Sequence, residues 1–386
     1  MDNNAVNVTP KEPKKPFIQR LRESGCFSPF YVTVILLFAL SLVLYVLSRF
    51  ITPLAEFLSR YPAHGIRFIM AKLTTWIPFS VAECIIILLP LLFVAYMVYA
   101  VRFIKHNTDG FGSKVLMPLV SIILIIGILF FSMFAPCYFR NPLSVNLGIE
   151  DAAVSGEELF ETAVWLSAEI KNVTPDITFS ASGESHMPCD YGTMATLIND
   201  AFDSYASGVD YISSFRSSPK PIALSEPMTY THISGVYSFF TGEANINVNY
   251  PDFIVPFTMA HEMSHQRGIA REEEANMVAF LVCLNSNNPY VRYSGLSNVL
   301  SYVNSALYRA DKELYKRFRN YYYPSELAKE NSAYSLFFDK YRENVANNVT
   351  NAVNNSFLQS QGQSQGTKSY GLVVDLTVSY YKSLTQ

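Results

Sequence analysis

Hydrophobic and polar residues are unevenly spread along the chain, and that unevenness predicts its layout. Three nearly uncharged runs stand in the first third: residues 29–49 (YVTVILLFALSLVLYVLS and its flanks), 79–101 (VAECIIILLPLLFVAYMVYAV) and 116–134 (LMPLVSIILIIGILFFSMF). Each is long enough for a helix crossing a bilayer, which needs about 20 apolar residues. The first run starts too late and is too long for a cleaved signal peptide, and no small-residue cleavage site follows it. Glu83 falls near the end of the second run, which reads as an interfacial carboxylate rather than an intramembrane one.

Beyond residue 135 the pattern is that of a soluble domain, large enough for a sizeable core. Residues 157–170 and 194–205 have helical apolar spacing. Residues 213–250 are rich in Pro, Gly, Ser and β-branched or aromatic residues, which predicts short strands and turns. Helical patterns return from Phe257. The stretch 359–365 (QSQGQSQ) reads as a flexible loop, and 370–384 as a final helix. The expected fold class is α+β: three transmembrane helices, then a mainly helical domain with a small β-sheet. Residues 1–28 form a tail, 29–135 the transmembrane region and 136–386 the soluble domain.

Basic residues set the expected orientation. The tail carries Lys11, Lys14, Lys15, Arg20 and Arg22. The first loop carries Arg60, Arg67 and Lys72, and the second Arg102, Lys105 and Lys114, so the loops balance. A basic tail inside a cell membrane, with three spans, leaves the large domain extracytoplasmic. Net charge is −3, which gives no footprint for nucleic acid. The five cysteines have no C-x-x-C spacing; Cys137 and Cys189 are free to pair in an oxidising compartment.

The candidate chemistry lies in PFTMAHEMSHQRGIAREEEANMVAFLVCL. His261 and His265 stand one helical turn apart on one face, where both imidazoles can hold one metal ion. Glu262 between them is placed to act as a general base towards water activated by zinc. Pro256 suits the first turn of that helix and Gly268 its left-handed end. A catalytic zinc usually has three protein ligands and an open position. The third candidate is Glu272, with Glu274 the alternative; Glu273 reads as a solvated helix-start charge. Asn276, one turn after Glu272, is placed to orient a ligand histidine. By analogy with zinc peptidases of this plan, the alternating segment 243–250 predicts a strand holding substrate in extended form, with a core strand that turns Ile246 and Val248 inward as the alternative. Asn247 and Asn249 are candidates to orient substrate or, more simply, to make ordinary strand-face hydrogen bonds. Tyr293, Tyr302 and His232 are the candidates for stabilising an oxyanion. His186 and Cys189 hint at a second metal pair without companion ligands. The motif's distance from the spans along the sequence, and its polar context, argue for chemistry outside the bilayer.

HEMSHQRGIAREEEAN, with FTGEANIN before it, KSYGLVVDLTVSYY near the end and three N-terminal spans, resembles the bacterial membrane family DUF3810. That resemblance implies a zinc-dependent peptidase of zincin type. The E-x-x-A-N ending is more distantly similar to gluzincin peptidases and favours Glu272, although the short distance from His265 to Glu272 departs from them. The leading expectation is therefore a membrane-anchored zinc metallopeptidase acting on peptides or proteins. The alternatives are a site-specific signalling protease, a cell-wall peptide hydrolase, and a non-catalytic binding module stabilised by zinc.

Overall fold

The three apolar runs are helices long and apolar enough to cross a membrane: Pro29–Ser48, Val81–His106 and Gly112–Phe139, with mean hydropathies of 2.6, 2.7 and 2.8. In chain order they are α1, α4 and α5, because α2 (Thr52–Arg60) and α3 (Pro62–Thr75) fill the loop between the first two. The computed structural model describes residues 25–106, 110–149, 153–213, 215–342, 344–363 and 372–385. The five basic residues of the tail lie outside them, as do the last two residues of the glutamine-rich stretch.

The chain divides into two units. One comprises Leu88–Ile128 and the described residues up to Val43, and so holds most of each apolar helix. Its apolar side chains face outward all round, with Leu36, Leu91 and Ile123 each more than three-fifths exposed. Such an exposed apolar surface is the kind that a membrane-crossing helix presents to lipid.

The other unit comprises Leu44–Ile87 and Leu129–Gln386. It is mainly helical: α6 (Gly156–Val173) and α7 (Tyr191–Ala206) precede a small sheet, and α8 (Val255–Gln266), α9 (Glu272–Leu284), α10 (Pro289–Ala310), α11 (Lys312–Tyr321), α12 (Ser325–Asp339), α13 (Val345–Ser360) and α14 (Val373–Thr385) follow it. Local chemistry starts these helices where the pattern predicts. Ser155 and Glu158 form a reciprocal capping box at α6, and Asp190 accepts from the Thr193 amide at α7. The sheet holds β1 (Lys220–Pro221), β2 (Gly235–Ser238) and β3 (Glu243–Ile246) in the order β1-β3-β2, β1 parallel and β2 antiparallel to β3. Helix α8 runs through the middle, packed against β2, β3, α9 and α10, and every one of its residues is buried.

Three expectations change here. The strand at 243–246 is central, paired on both sides, so it has no free edge for substrate. Asn247 is buried, its amide donating to Thr229 Oγ1 and the Ile233 carbonyl. Asn249 bonds to Thr229 and the Tyr341 hydroxyl. Both are structural. The glutamine-rich stretch begins as the end of α13, where Gln361 accepts from the Tyr45 hydroxyl. Cys137 and Cys189 do not pair, and Cys137 is buried 3.3 Å from Arg67 Nη1.

The start of α4 and the end of α3 are tied into the sheet. Glu243 accepts from the Val81 and Ala82 amides at 3.0 and 2.9 Å, capping α4 where its N–H groups lack partners. Asn245 accepts from Ser80, and buried Lys220 donates to the Thr74 and Ile77 carbonyls at the end of α3. Glu83 accepts from the Ala223 and Leu224 amides, so it is held by protein backbone.

Glu56 on α2 links this corner to the segment after α5, accepting from Arg60 and the Asn141 amide and facing Arg140. Burial opposes its charge, but Arg140, Arg60 and that amide outweigh it and hold its pKa below 4.5. A depressed carboxylate pKa contributes stability above the unfolded value that is lost as pH falls through the folded one. Wild type is therefore expected to unfold at a higher temperature than Glu56→Gln at pH 7. The two should converge as pH falls through the depressed native pKa, where the folded carboxylate becomes protonated. Melting curves between pH 3 and 7 check this; a constant gap across that range would contradict it.

Candidate metal centre

The centre is built where α8 ends and α9 begins. Gly268 closes α8 with a left-handed φ of +92°, and a Cβ there would lie 2.5 Å from Arg67 Nη2. Only glycine allows both the turn and the approach. The turn brings the first residue of α9 back over the two histidines one helical turn apart.

The His261 and His265 Nε2 atoms are 3.1 Å apart. Glu272 Oε2 lies 3.3 Å from the first and 3.5 Å from the second. Ligand atoms about 2.0–2.1 Å from a tetrahedral ion stand about 3.4 Å from one another, so this triangle suits an ion of zinc's size. His265 Nδ1 lies 2.7 Å from the Ile269 carbonyl, which can only accept. A hydrogen is therefore on Nδ1, which leaves Nε2 as the atom that faces the triangle and the one that would ligate once its proton is displaced. Among the described residues this is the one group of His, Cys, Asp and Glu side chains with metal-holding spacing.

The electrostatics follow from burial. Desolvation works against the Glu272 charge, yet His265 and His261 hold its carboxyl well below the usual range. Burial likewise opposes charge on His265, but Glu272 and Glu262 push its pKa up to about 9. Glu262 goes the other way: burial raises its carboxyl above 4.5, against the pull of both histidines and the Tyr237 amide. Two carboxylates on adjoining helices are thus driven apart, Glu272 held in its charged form and Glu262 shifted towards its neutral one.

Glu262 sits under β2. A Cβ at Gly235 would lie 2.7 Å from Glu262 Cγ and Oε1 and from Thr258 Cγ2. Gly235→Ala is therefore expected to push the Glu262 carboxylate aside while leaving the triangle intact. Metal content should stay at the wild-type level, and any Glu262-dependent activity should fall by about tenfold or more. Loss of metal from this variant would contradict that placement.

The family model described as "Protein of unknown function (DUF3810)" matches residues 58–378, most of the chain. The chain belongs to the DUF3810 family. Neither a curated protein nor a solved structure matches it. The family match takes in α2 from Leu58, all of α3, and every residue of the candidate centre.

In this DUF3810 protein the remaining candidates divide sharply. Glu274 points away from the triangle, accepting from the Leu143 amide and Arg271. Glu273 is not a solvated charge: Oε2 is buried without a hydrogen-bond partner, and burial pushes its pKa up to about 7. Asn276 is buried in α9, but neither its Nδ2 nor His261 Nδ1 has a hydrogen-bond partner among the described residues. The observed histidine orienter is the Ile269 carbonyl. Tyr293 is bonded to Glu330 and His232 to the Tyr341 carbonyl. Of the three oxyanion candidates only Tyr302 feels the centre, its pKa raised to about 12 by burial and by Glu272. His186 is exposed beside Asp252, with no second metal group around it among the described residues.

The residues that sequence reasoning missed cover the site. Phe134, near the end of α5, lies edge-on to His265 at 6.1 Å and tilted against Tyr237 at 5.4 Å. Phe130 packs on Phe239 and on Phe357 of α13. Distance along the sequence misleads here: the end of the third apolar helix forms part of the roof over the histidines.

Proposed function

We propose that this protein is a membrane-anchored zinc metallopeptidase, with His261, His265 and Glu272 as metal ligands and Glu262 as general base. The observation that carries the reading is the pairing of a three-atom ligand triangle with a separate, desolvated carboxylate one residue from the first histidine. A structural zinc normally has four protein ligands; three ligands beside a buried base suit catalysis instead. Zinc, when bound, supplies a Lewis acid and lowers the pKa of an adjacent water towards about 7.

The protein's own groups supply the rest. Glu262 takes the water proton and passes it to the leaving amine, and its raised pKa favours that exchange near neutrality. Strand β2 is the edge next to Glu262. Asn247 N–H donates to the Ser234 carbonyl, and alternation along an antiparallel ladder turns the Gly235 and Tyr237 backbone groups to the open side. An extended peptide added there would run past Glu262. Tyr302 is the group nearest in character to an oxyanion donor. The small sheet beside the α8 helix supports a zincin-like domain.

The extracytoplasmic placement gains a second support. Of the first-loop cations, Arg67 is buried and donates to backbone carbonyls, Arg60 pairs with Glu56 and Lys72 donates to the Arg216 carbonyl. Charges held by protein weigh less in orientation than the exposed Arg102, Lys105 and Lys114 of the second loop.

One observation favours narrow specificity, and with it a regulatory protease. The ligand side chains are only 7–13% exposed beneath the aromatic roof. The test is full-length protein in detergent, assayed on an unstructured peptide library and on segments flanking membrane spans. Chelator-sensitive cleavage supports the peptidase reading. Stoichiometric zinc with no cleavage of either substrate set counts for the binding-module alternative.

A further inference from the structure

A cavity of about 150 Å³ lies between the α2–α3 corner and the end of α8. Arg60, Arg67, Arg140 and Arg267 line it with His64, and its one acid, Asp210, is 93% exposed and 4.0 Å from Arg60. Arg67, Arg140 and Arg267 are each at least nine-tenths buried. The Nε of each has no hydrogen-bond partner among the described residues. Glu56 serves Arg60 and, at 3.5 Å, Arg140. Arg67 and Arg267 have no carboxylate within salt-bridge distance among the described residues. They are held by carbonyls: Arg67 by those of Met133 and Ser59, Arg267 by those of Met263 and Phe215, with its guanidinium 4.0 Å over the Phe202 ring.

Buried guanidinium groups with no carboxylate at contact distance are costly, because carbonyl dipoles do not cancel a charge; Arg267 feels the more distant Asp203 charge, but burial outweighs it. Burial lowers the His64 pKa, and so do the nearby Arg67 and Arg267, which marks the cavity as positive. Guanidinium is the group that matches a planar or tetrahedral oxyanion with paired donors. At about 30 Å³ per water, the space holds about five waters, enough for a small tetrahedral anion. The corner that lines it joins α1 to α4, where the bilayer surface would bring lipid headgroups.

We propose that this cavity is a binding site for a phosphate-type oxyanion, carried either by a free ion or by an acidic lipid headgroup. The site is separate from the metal triangle and does not depend on the peptidase reading. The test uses full-length protein in a phosphate-free maltoside detergent, with melting temperature and calorimetric titration as readouts. Inorganic phosphate is one arm, phosphatidic acid in mixed micelles the other, and chloride at matched ionic strength the control.

Saturable binding and a raised melting temperature are expected in at least one arm. Response to inorganic phosphate assigns the free ion, and response to phosphatidic acid alone assigns the headgroup. Arg60→Gln, at the partly exposed rim, should weaken binding by about tenfold, the loss of one charge-assisted bond. Ser213→Asp places a carboxylate on the exposed lining and should abolish it while the protein stays folded. No response beyond chloride in either arm would overturn the proposal, and so would unchanged binding in both variants.

Discussion

Glu262→Gln is expected to keep its zinc and to lose peptide cleavage by about 10²–10⁴-fold, the range that general-base catalysis commonly supplies. The substitution keeps the shape that fills the space under Gly235 and removes only the group that can take a proton. The desolvation that raises the native carboxyl pKa should make the neutral amide comfortable there, so the melting temperature should hold or rise. Metal analysis, a melting curve and an initial-rate assay on the same preparation decide the matter. Undiminished cleavage with zinc retained would remove Glu262 from the reaction; loss of zinc would mean that it helps to hold the ion.

The second large effect is on the metal itself. Glu272 supplies the one anionic atom of the triangle, 3.3 and 3.5 Å from the two histidine nitrogens. Glu272→Gln removes that charge, and zinc affinity should fall by more than the roughly 10–100-fold typical of altering a group that merely orients a ligand. Glu274→Gln is the control: it breaks the ties to Leu143 and Arg271, so it should lower stability while metal affinity stays within a few-fold of wild type. Zinc at 100 times its dissociation constant stabilises a folded protein by about 2.7 kcal/mol, and that rise should vanish in Glu272→Gln but survive in Glu274→Gln. Equal zinc binding by the two variants would dismiss Glu272 as a ligand.

What could be read from the sequence was what is local. The H-E-x-x-H turn, the glycine ending α8 and the face of α9 that carries Glu272 are set by helical period and capping, within about a dozen residues. The apolar helices were equally plain, because lipid leaves an unbroken run of apolar side chains. Long-range pairing was hidden. Alternation over 243–250 is the same for an edge and a central strand, and only the flanking of β3 by β1 and β2 tells them apart. Arg67 read as one more loop cation. Its burial depends on carbonyls at Ser59 and Met133 and on bare space at Gly268, which no single stretch of sequence announces. Phe134 was the last residue of an apolar run, yet its ring packs against His265 of the centre and against Tyr237.

The grip of Glu243, Asn245 and Lys220 on the ends of α3 and α4 has a consequence for how this protein lives and how it can be handled. A fragment starting near Arg140 would carry a buried carboxylate and a buried ammonium stripped of their backbone partners, and a Gly268 turn facing an empty slot where Arg67 belongs. Such a piece should misfold or aggregate. The residues after Arg140 are therefore no self-sufficient folding unit: the stretch from α2 to the start of α4 supplies partners that their buried charges require, so the large domain has to fold together with that stretch rather than ahead of it.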